Sequence, residues 1–198
     1  MKSQKVNLES FKIIGISVRT TNQNAKSAKD IMELWEKFYA ENISSAIPNK
    51  IDNDIYSVYT DYKSDYTADY TTILGHRVNS LENIPASLDG REFVGGNYLE
   101  FKAKGVRPLS VFNTWQEIWV KDKELNRKYT ADFEIYGKRS NDAQNSEVDI
   151  FIATVWKRII NCSYQRAPSI FIHLEEAFGI KYNFLQYAGL MQIPNWFD

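Results

Sequence analysis

Cysteine and histidine are scarce: the 198 residues contain a single cysteine, Cys162, and two histidines, His76 and His173. One cysteine excludes an intrachain disulfide, a cysteine-rich zinc site and a CxxC redox pair. Two histidines this far apart argue against a histidine metal site, so no metal or cofactor is expected. An excess of either charge is also missing, since 24 Lys and Arg face 25 Asp and Glu for a formal net charge of -1. Nothing in that balance draws the chain to nucleic acid or anionic lipid. No apolar run approaches the roughly 20 residues of a membrane helix. The opening stretch, MKSQKVNLESFKIIG, lacks the apolar core and cleavage site of a secretory leader, which predicts a cytoplasmic protein. P-loop, GxGxxG, GxSxG and HExxH strings are absent. Gly95-Gly96 reads as a bulge or turn, because no helix starts directly after it. A Cys–His nucleophile pair would have to use Cys162, which reads better as a small buried hydrophobe.

Aromatic residues, by contrast, are plentiful: 12 Tyr, 11 Phe and 5 Trp. They also carry a repeat. Met32-Glu33-Leu34-Trp35 matches Phe112-Asn113-Thr114-Trp115 at an offset of 80, with large apolar residues three and four positions after each tryptophan. The same offset lays Asp54-Ile55-Tyr56 on Glu134-Ile135-Tyr136 and the β-branched run 11–18 on residues 91–98. Each half reads strand, helix, strand, strand. The first half has strands at 11–18, 54–61 and 70–78, with a helix opened by a capping box at Ser27-Ala28-Lys29-Asp30 and ending before Pro48. The second has strands at 93–103, 131–137 and 147–154, with a helix from about Pro108 carrying Val111, Phe112, Trp115, Ile118 and Trp119 on one face. The predicted fold is α+β: duplicated β-α-β-β modules with pseudo-twofold symmetry (5–80 and 88–155), an antiparallel sheet around a ligand cleft and helices on the other side of that sheet.

Period-2 alternation in β-type residues 132–136 places Phe133 and Ile135 on one face and Asp132, Glu134 and Tyr136 on the other. With the apolar pair under the tryptophan-bearing helices, Glu134 and Tyr136 are expected to look out opposite them, beside Asp54 and Tyr56. Tyr56, Tyr59, Tyr62, Tyr66 and Tyr70 crowd a short stretch with no helical period. An ordinary solvated strand face explains the acids equally simply, and β-propensity explains the tyrosines. An acid and several rings in one concavity would suit a flat, apolar cation.

Six ordered strings resemble the GyrI-like effector-binding family: Ile55 to Tyr62, Tyr70 to Gly75, Gly96 to Phe101, Trp115 to Trp119, Thr130 to Tyr136 and Glu147 to Ile152. That family comprises the small-molecule-binding domains of some AraC-type and MerR-type bacterial regulators and stand-alone proteins such as the YdeE-like group. The resemblance covers about residues 5–155 and implies two pseudo-symmetric modules around a cleft. It implies that Glu134 is the ligand-binding carboxylate, with Tyr136, Tyr56, Tyr98, Trp115 and Phe151 as aromatic walls, and that the partner is a small lipophilic cation. Phe151 stands where the family often has Tyr, and Ala153 where it usually has Pro. The expected function is a stand-alone sensor or sequestering protein for amphipathic, cationic aromatic compounds, with no membrane partner. Too few residues precede the first strand for a helix-turn-helix, so no direct DNA binding is expected. Two alternatives stand beside it. One is a hydrolase of strained electrophiles using Glu134 with Asp54 or Glu100; the other is a gyrase-inhibitor-like macromolecular binder. Domain 1–156 is followed by an extension, 157–198, whose apolar residues, with a short helix from Pro168, are expected to pack against the body, a homodimer contact being the favoured form.

Overall fold

The computed structural model describes residues 2–156. The expected helix from Pro168, the packing and dimer contact of 157–198, Cys162 and His173 therefore lie outside the described residues. Strands β1 (Ser3–Leu8) and β2 (Phe11–Thr21) lead into helix α1 (Lys26–Ala40) and the short α2 (Ile43–Ala46), then β3 (Lys50–Thr60) and β4 (Asp69–Val78). The second half repeats this order with β5 (Asp89–Phe93), β6 (Gly96–Gly105), α3 (Leu109–Val120), the short α4 (Asp122–Leu125), β7 (Ala131–Tyr136) and β8 (Ser146–Ala153). All eight strands form one antiparallel sheet in the order β1-β6-β8-β7-β3-β4-β2-β5. The order is a palindrome of equivalent strands, with β3 and β7 paired at its centre. The duplicated α+β architecture expected from the repeat is present.

Each half has one strand more than the repeat suggested, and it pairs with the other half. β1 pairs with β6, and β5 pairs with β2. Leu8 lies opposite Gly96 in the first ladder and Phe11 opposite Phe93 in the second, so Leu8 corresponds to Phe93 and Phe11 to Gly96 at an offset of 85. The single strand expected over 93–103 is broken at Val94-Gly95. Only two residues, Glu9 and Ser10, join β1 at one edge of the sheet to β2 near the other edge, and Val94-Gly95 do the same for β5 and β6. Links this short oblige the sheet to curl until its edges approach. The rings inside report the curl: Phe11 on β2 and Phe133 on β7 lie three strands apart in the order, yet their centroids are 5.0 Å apart. On a flat sheet they would be separated by about 14 Å.

The inner face of the curl is a core of Phe11, Ile13, Tyr56, Val58, Ile73, Phe93, Tyr98, Phe133 and Phe151. Both helices pack on the outer face. Leu34 and Phe38 of α1 meet Ile14, Ile16 and Leu74, while Val111, Trp115 and Ile118 of α3 meet Phe101, Val148 and Ile150. This corrects the expected helix placement. Phe133 lies under the helix-free core, and Glu134 faces the helices. The expectation failed because both faces of these strands are buried, the polar face of β7 included, so alternation alone does not say which face a helix covers. The capping box is also corrected: α1 starts at Lys26 after Ala25 in the left-handed region, and Asp30 accepts the Thr20 hydroxyl at 2.6 Å.

The crossing of the two short links leaves no room for a side chain at Gly95. A Cβ there would lie 2.2 Å from the Leu8 carbonyl oxygen and 2.5 Å from the Glu9 carbonyl carbon, both backbone atoms. Gly95→Ala should destabilise the fold by roughly 2 kcal/mol or more, measured by urea unfolding with the m-value unchanged. A loss below about 0.5 kcal/mol would mean that the links can separate, contrary to the closed curl.

Candidate functional site

The helices and the central strands enclose a cavity of about 490 Å³. Its outer wall is built twice over. Ala28, Ile31, Met32 and Trp35 of α1 line it opposite Pro108, Val111, Phe112 and Trp115 at the start of and along α3, four pairs related by the offset of 80. The floor comes from β3 and β7, where the offset is different. Trp115 sits edge-on to Tyr59 at 5.2 Å and Trp35 edge-on to Tyr136 at 5.0 Å, so Tyr59 is the counterpart of Tyr136 at an offset of 77. Register requires this: Ser57 opposes Glu134 and Tyr56 opposes Ile135, and residues opposed in an antiparallel ladder share a face. An even offset such as 80 therefore sends Tyr56 to the face opposite Tyr136. The acid-Ile-Tyr match that suggested it joins residues on different faces.

Glu134 lies at the bottom of the cavity and is 2% exposed. Its Oε1 accepts the Trp115 indole N–H at 2.5 Å and the Tyr59 hydroxyl at 2.9 Å, and its Oε2 accepts the Tyr136 hydroxyl at 2.6 Å. The Ser57 hydroxyl donates in turn to the Tyr59 oxygen at 3.2 Å. No Lys, Arg or His side chain comes within salt-bridge distance of Glu134 among the described residues. Burial pushes its carboxyl above the usual carboxylate range, and the donated bonds from Tyr136, Trp115 and Tyr59 oppose that rise. Burial, reinforced by the nearby carboxylate, holds the Tyr59 and Tyr136 hydroxyls well above the ordinary phenol range. Both remain donors throughout the physiological range.

Four tyrosines of the crowded stretch close the remaining side. Tyr59, Tyr62, Tyr66 and Tyr70 all line the cavity. Tyr66, in the link between β3 and β4, stacks on Trp119 of α3 at 5.5 Å with the rings 5° from parallel, so a loop of the first half is seated on a helix of the second. Its backbone oxygen accepts Asn22 Nδ2 at 2.8 Å, and Asn22 Oδ1 accepts the Tyr70 hydroxyl at 2.7 Å. Among the described residues, Glu134 is the only charged side chain in the lining.

Of the residues singled out in the sequence, Glu134, Tyr136 and Trp115 are brought together here. Tyr56, Tyr98 and Phe151 are not: all three pack around Phe133 in the inner core, at 6.1, 5.5 and 4.8 Å between ring centroids. They sit on odd strand steps from Glu134 and so point through the sheet. Neither acid suggested for hydrolysis faces Glu134. Asp54 shares the Tyr56 face beside Gly137, and Glu100 opposes Phe151 and accepts Lys102 at 2.7 Å. Among the described residues no group of three or more His, Cys, Asp or Glu could hold a metal ion. No helix among them is long and apolar enough to cross a membrane. Sequence reasoning missed Trp35, Met32 and Phe112 as walls, although their equivalence at the offset of 80 was legible.

Residues 6–154 match the Cass2 family, described as an integron-associated effector-binding protein. The chain belongs to this family. It is 31% identical to the integron cassette protein VCH_CASS2 from the mobile metagenome of Vibrio cholerae, covering 77% of this chain and 95% of that one with a TM-score of 0.60. YobU of Bacillus subtilis (strain 168), named for a role in transcriptional regulation, is 26% identical over 76% of this chain and 96% of its own length. The structure of SAV2435 bound to tetraphenylphosphonium shares the fold at a TM-score of 0.64 and 19% identity, covering 77% of this chain and 93% of that one. The effector-binding resemblance found in the sequence and the Cass2 match agree.

A buried acid whose protonation is favoured by folding makes the empty protein less stable as pH rises. With the folded-state value raised, stability is fully present below the ordinary glutamate value and is lost as pH climbs through the raised one. Glu134→Gln should therefore flatten part of the fall in Tm as pH rises above the ordinary glutamate value and leave the variant more stable than wild type at the upper end. Parallel Tm curves for the two proteins would show that Glu134 titrates normally.

Proposed function

We propose that this chain is a cytoplasmic effector-binding protein that captures lipophilic aromatic cations in the cavity over Glu134, acting as a sensor or a sequestering protein. One observation carries this reading: the sole charged group in an aromatic cavity is a buried carboxylate with no cationic partner among the described residues. Burying an unpaired carboxylate is expensive, and three donated hydrogen bonds offset only part of the cost. A cation of matching size supplies what is missing. The surrounding rings suit the same guest, since each face turned to a cation adds roughly 0.5 to 2 kcal/mol. The rings also select for shape, being rigid and flat at low conformational cost. The Cass2 family, with its effector-binding description, and the tetraphenylphosphonium bound by SAV2435 are consistent with this assignment.

Chemistry within the cavity follows from the same geometry. On entry of a cation the carboxylate becomes the favoured form of Glu134, so binding releases a proton wherever the empty site is partly protonated. Tyr59, Tyr136 and Trp115 need not move, because each already donates to the carboxylate oxygens.

Tetraphenylphosphonium and the neutral triphenylphosphine oxide, titrated by tryptophan fluorescence, test the reading. Glu134→Gln should weaken the cation by about tenfold or more and the neutral compound by less than about threefold. Wild-type affinity for the cation should also fall as pH drops below the Glu134 value. Equal losses for both compounds, or no cation binding by wild type, would overturn the assignment.

A further inference from the structure

Glu134 is not the only acid on its strand face. Asp132, two residues earlier on β7, points the same way and is fully buried. By strand geometry the two Cα atoms lie about 7 Å apart on the same face. Asp132 Oδ2 accepts Arg127 Nη2 at 2.6 Å and the Tyr62 hydroxyl at 3.0 Å, and Oδ1 accepts the Ala153 amide at 2.8 Å. Tyr62 in turn lines the cavity, so its ring stands between Asp132 and a guest. The Arg127 side chain is 1% exposed, with its guanidinium 4.4 Å from the Tyr129 ring and 5.9 Å from the Trp115 ring. Its Nη1 also contacts Asp122 at 3.2 Å. Arg127 thus backs two cavity walls, Trp115 directly and Tyr62 through Asp132, without lining the cavity itself.

The pair has an electrostatic consequence for the guest. Arg127 and Asp132 sit close enough to cancel one another, and the register counterpart of Glu134 is the uncharged Ser57. We propose that Arg127 is a specificity-determining residue: by neutralising Asp132 it holds the cavity at one net negative charge and so makes the site select monocations over dications. This rests on the cation-binding reading above and adds to it which cations are taken. Without Arg127, a second carboxylate would stand one tyrosine ring behind the cavity wall, spaced to favour a guest with two positive centres. Without Asp132, the guanidinium would keep only the partly exposed Asp122 as its partner, and its positive charge would disfavour a cation. Buried charges at such distances are little screened by salt, so each imbalance reaches the site.

The test compares wild type, Arg127→Met, Asp132→Asn, the double variant and Arg127→Lys, with three ligands: tetraphenylphosphonium, a biphenyl carrying two trimethylammonium groups, and triphenylphosphine oxide. Asp132→Asn should weaken the monocation by roughly tenfold and leave the neutral ligand within about threefold. Arg127→Met should raise the ratio of dication to monocation affinity by roughly tenfold, and the double variant should restore both values to within about threefold of wild type. Single variants leave a buried charge unpaired at a cost to folding, whereas the neutral double variant and the charge-conserving Arg127→Lys are expected to tolerate the change. Those two must keep the wild-type preference for the monocation. A purely structural role would lower all three ligands together, would not be rescued in the double variant and would be lost in Arg127→Lys; any of these results overturns the proposal. Failure of wild type to bind tetraphenylphosphonium, or of Glu134→Gln to weaken it, would instead overturn the underlying cation reading.

Discussion

A carboxylate held out of water without a counter-charge is the constraint on which the site depends. Glu134 is accommodated because β7 lies at the centre of the sheet, where two strands and one helix contribute donors to one pair of oxygens. Tyr136 comes from its own strand, Tyr59 from the neighbouring strand and Trp115 from the helix above. None of the three carries a charge, so hydrogen bonding stabilises the anion without cancelling it. A lysine or arginine in any of these places would make a satisfied ion pair and leave nothing for a guest to complete. Burial raises the Glu134 carboxyl above the usual range, and the three uncharged donors oppose that rise only in part.

Duplication explains the shape of the cavity, and its breakdown explains the charge. The two helices contribute equivalent walls, and Tyr59 and Tyr136 an equivalent floor, so the apolar cage straddles the pseudo-twofold axis between β3 and β7. Departures from symmetry fall on the polar groups. Glu134 faces Ser57 across that axis, and the tyrosine-rich link between β3 and β4, with Tyr66 seated on Trp119, has no equivalent in the lining from the second half. A symmetric cage with one off-axis charge can hold guests of varied outline while fixing where their positive centre lies.

Much of this was legible in the sequence. Order of elements, the duplication, the helix pairs Met32/Phe112 and Trp35/Trp115, and the role-bearing strand at 132–136 all followed from periodicity. One failure had its physical origin in parity. One offset was applied throughout, but equivalence between the halves runs at 85 in the leading strands, 80 in the helices and 77 in the central strands, because the connecting segments differ in length. A change from even to odd moves every side chain of a strand to its other face. Tyr56 was thereby set beside Tyr136 although it belongs to the inner core, and Tyr59, three residues on, was passed over; Tyr98 and Phe151, placed in the wall by the family resemblance, belong to the inner core as well. The helices were put on the wrong face for a related reason: an eight-stranded sheet curled on itself buries both faces, and apolar alternation does not distinguish a helix-covered face from a self-covered one. The leading strands β1 and β5 went unseen because each finds its partner only in the other half, a pairing that no local pattern reports.

The account stands or falls on the ionisation of one group. Carbon-13 NMR of the Glu134 side-chain carboxyl, assigned by comparison with Glu134→Gln and followed through a pH titration with and without tetraphenylphosphonium, measures it directly. The account predicts a value above the ordinary glutamate range in the empty protein and a clear downward shift when the cation is bound. An ordinary value that does not move on addition of the cation would contradict it.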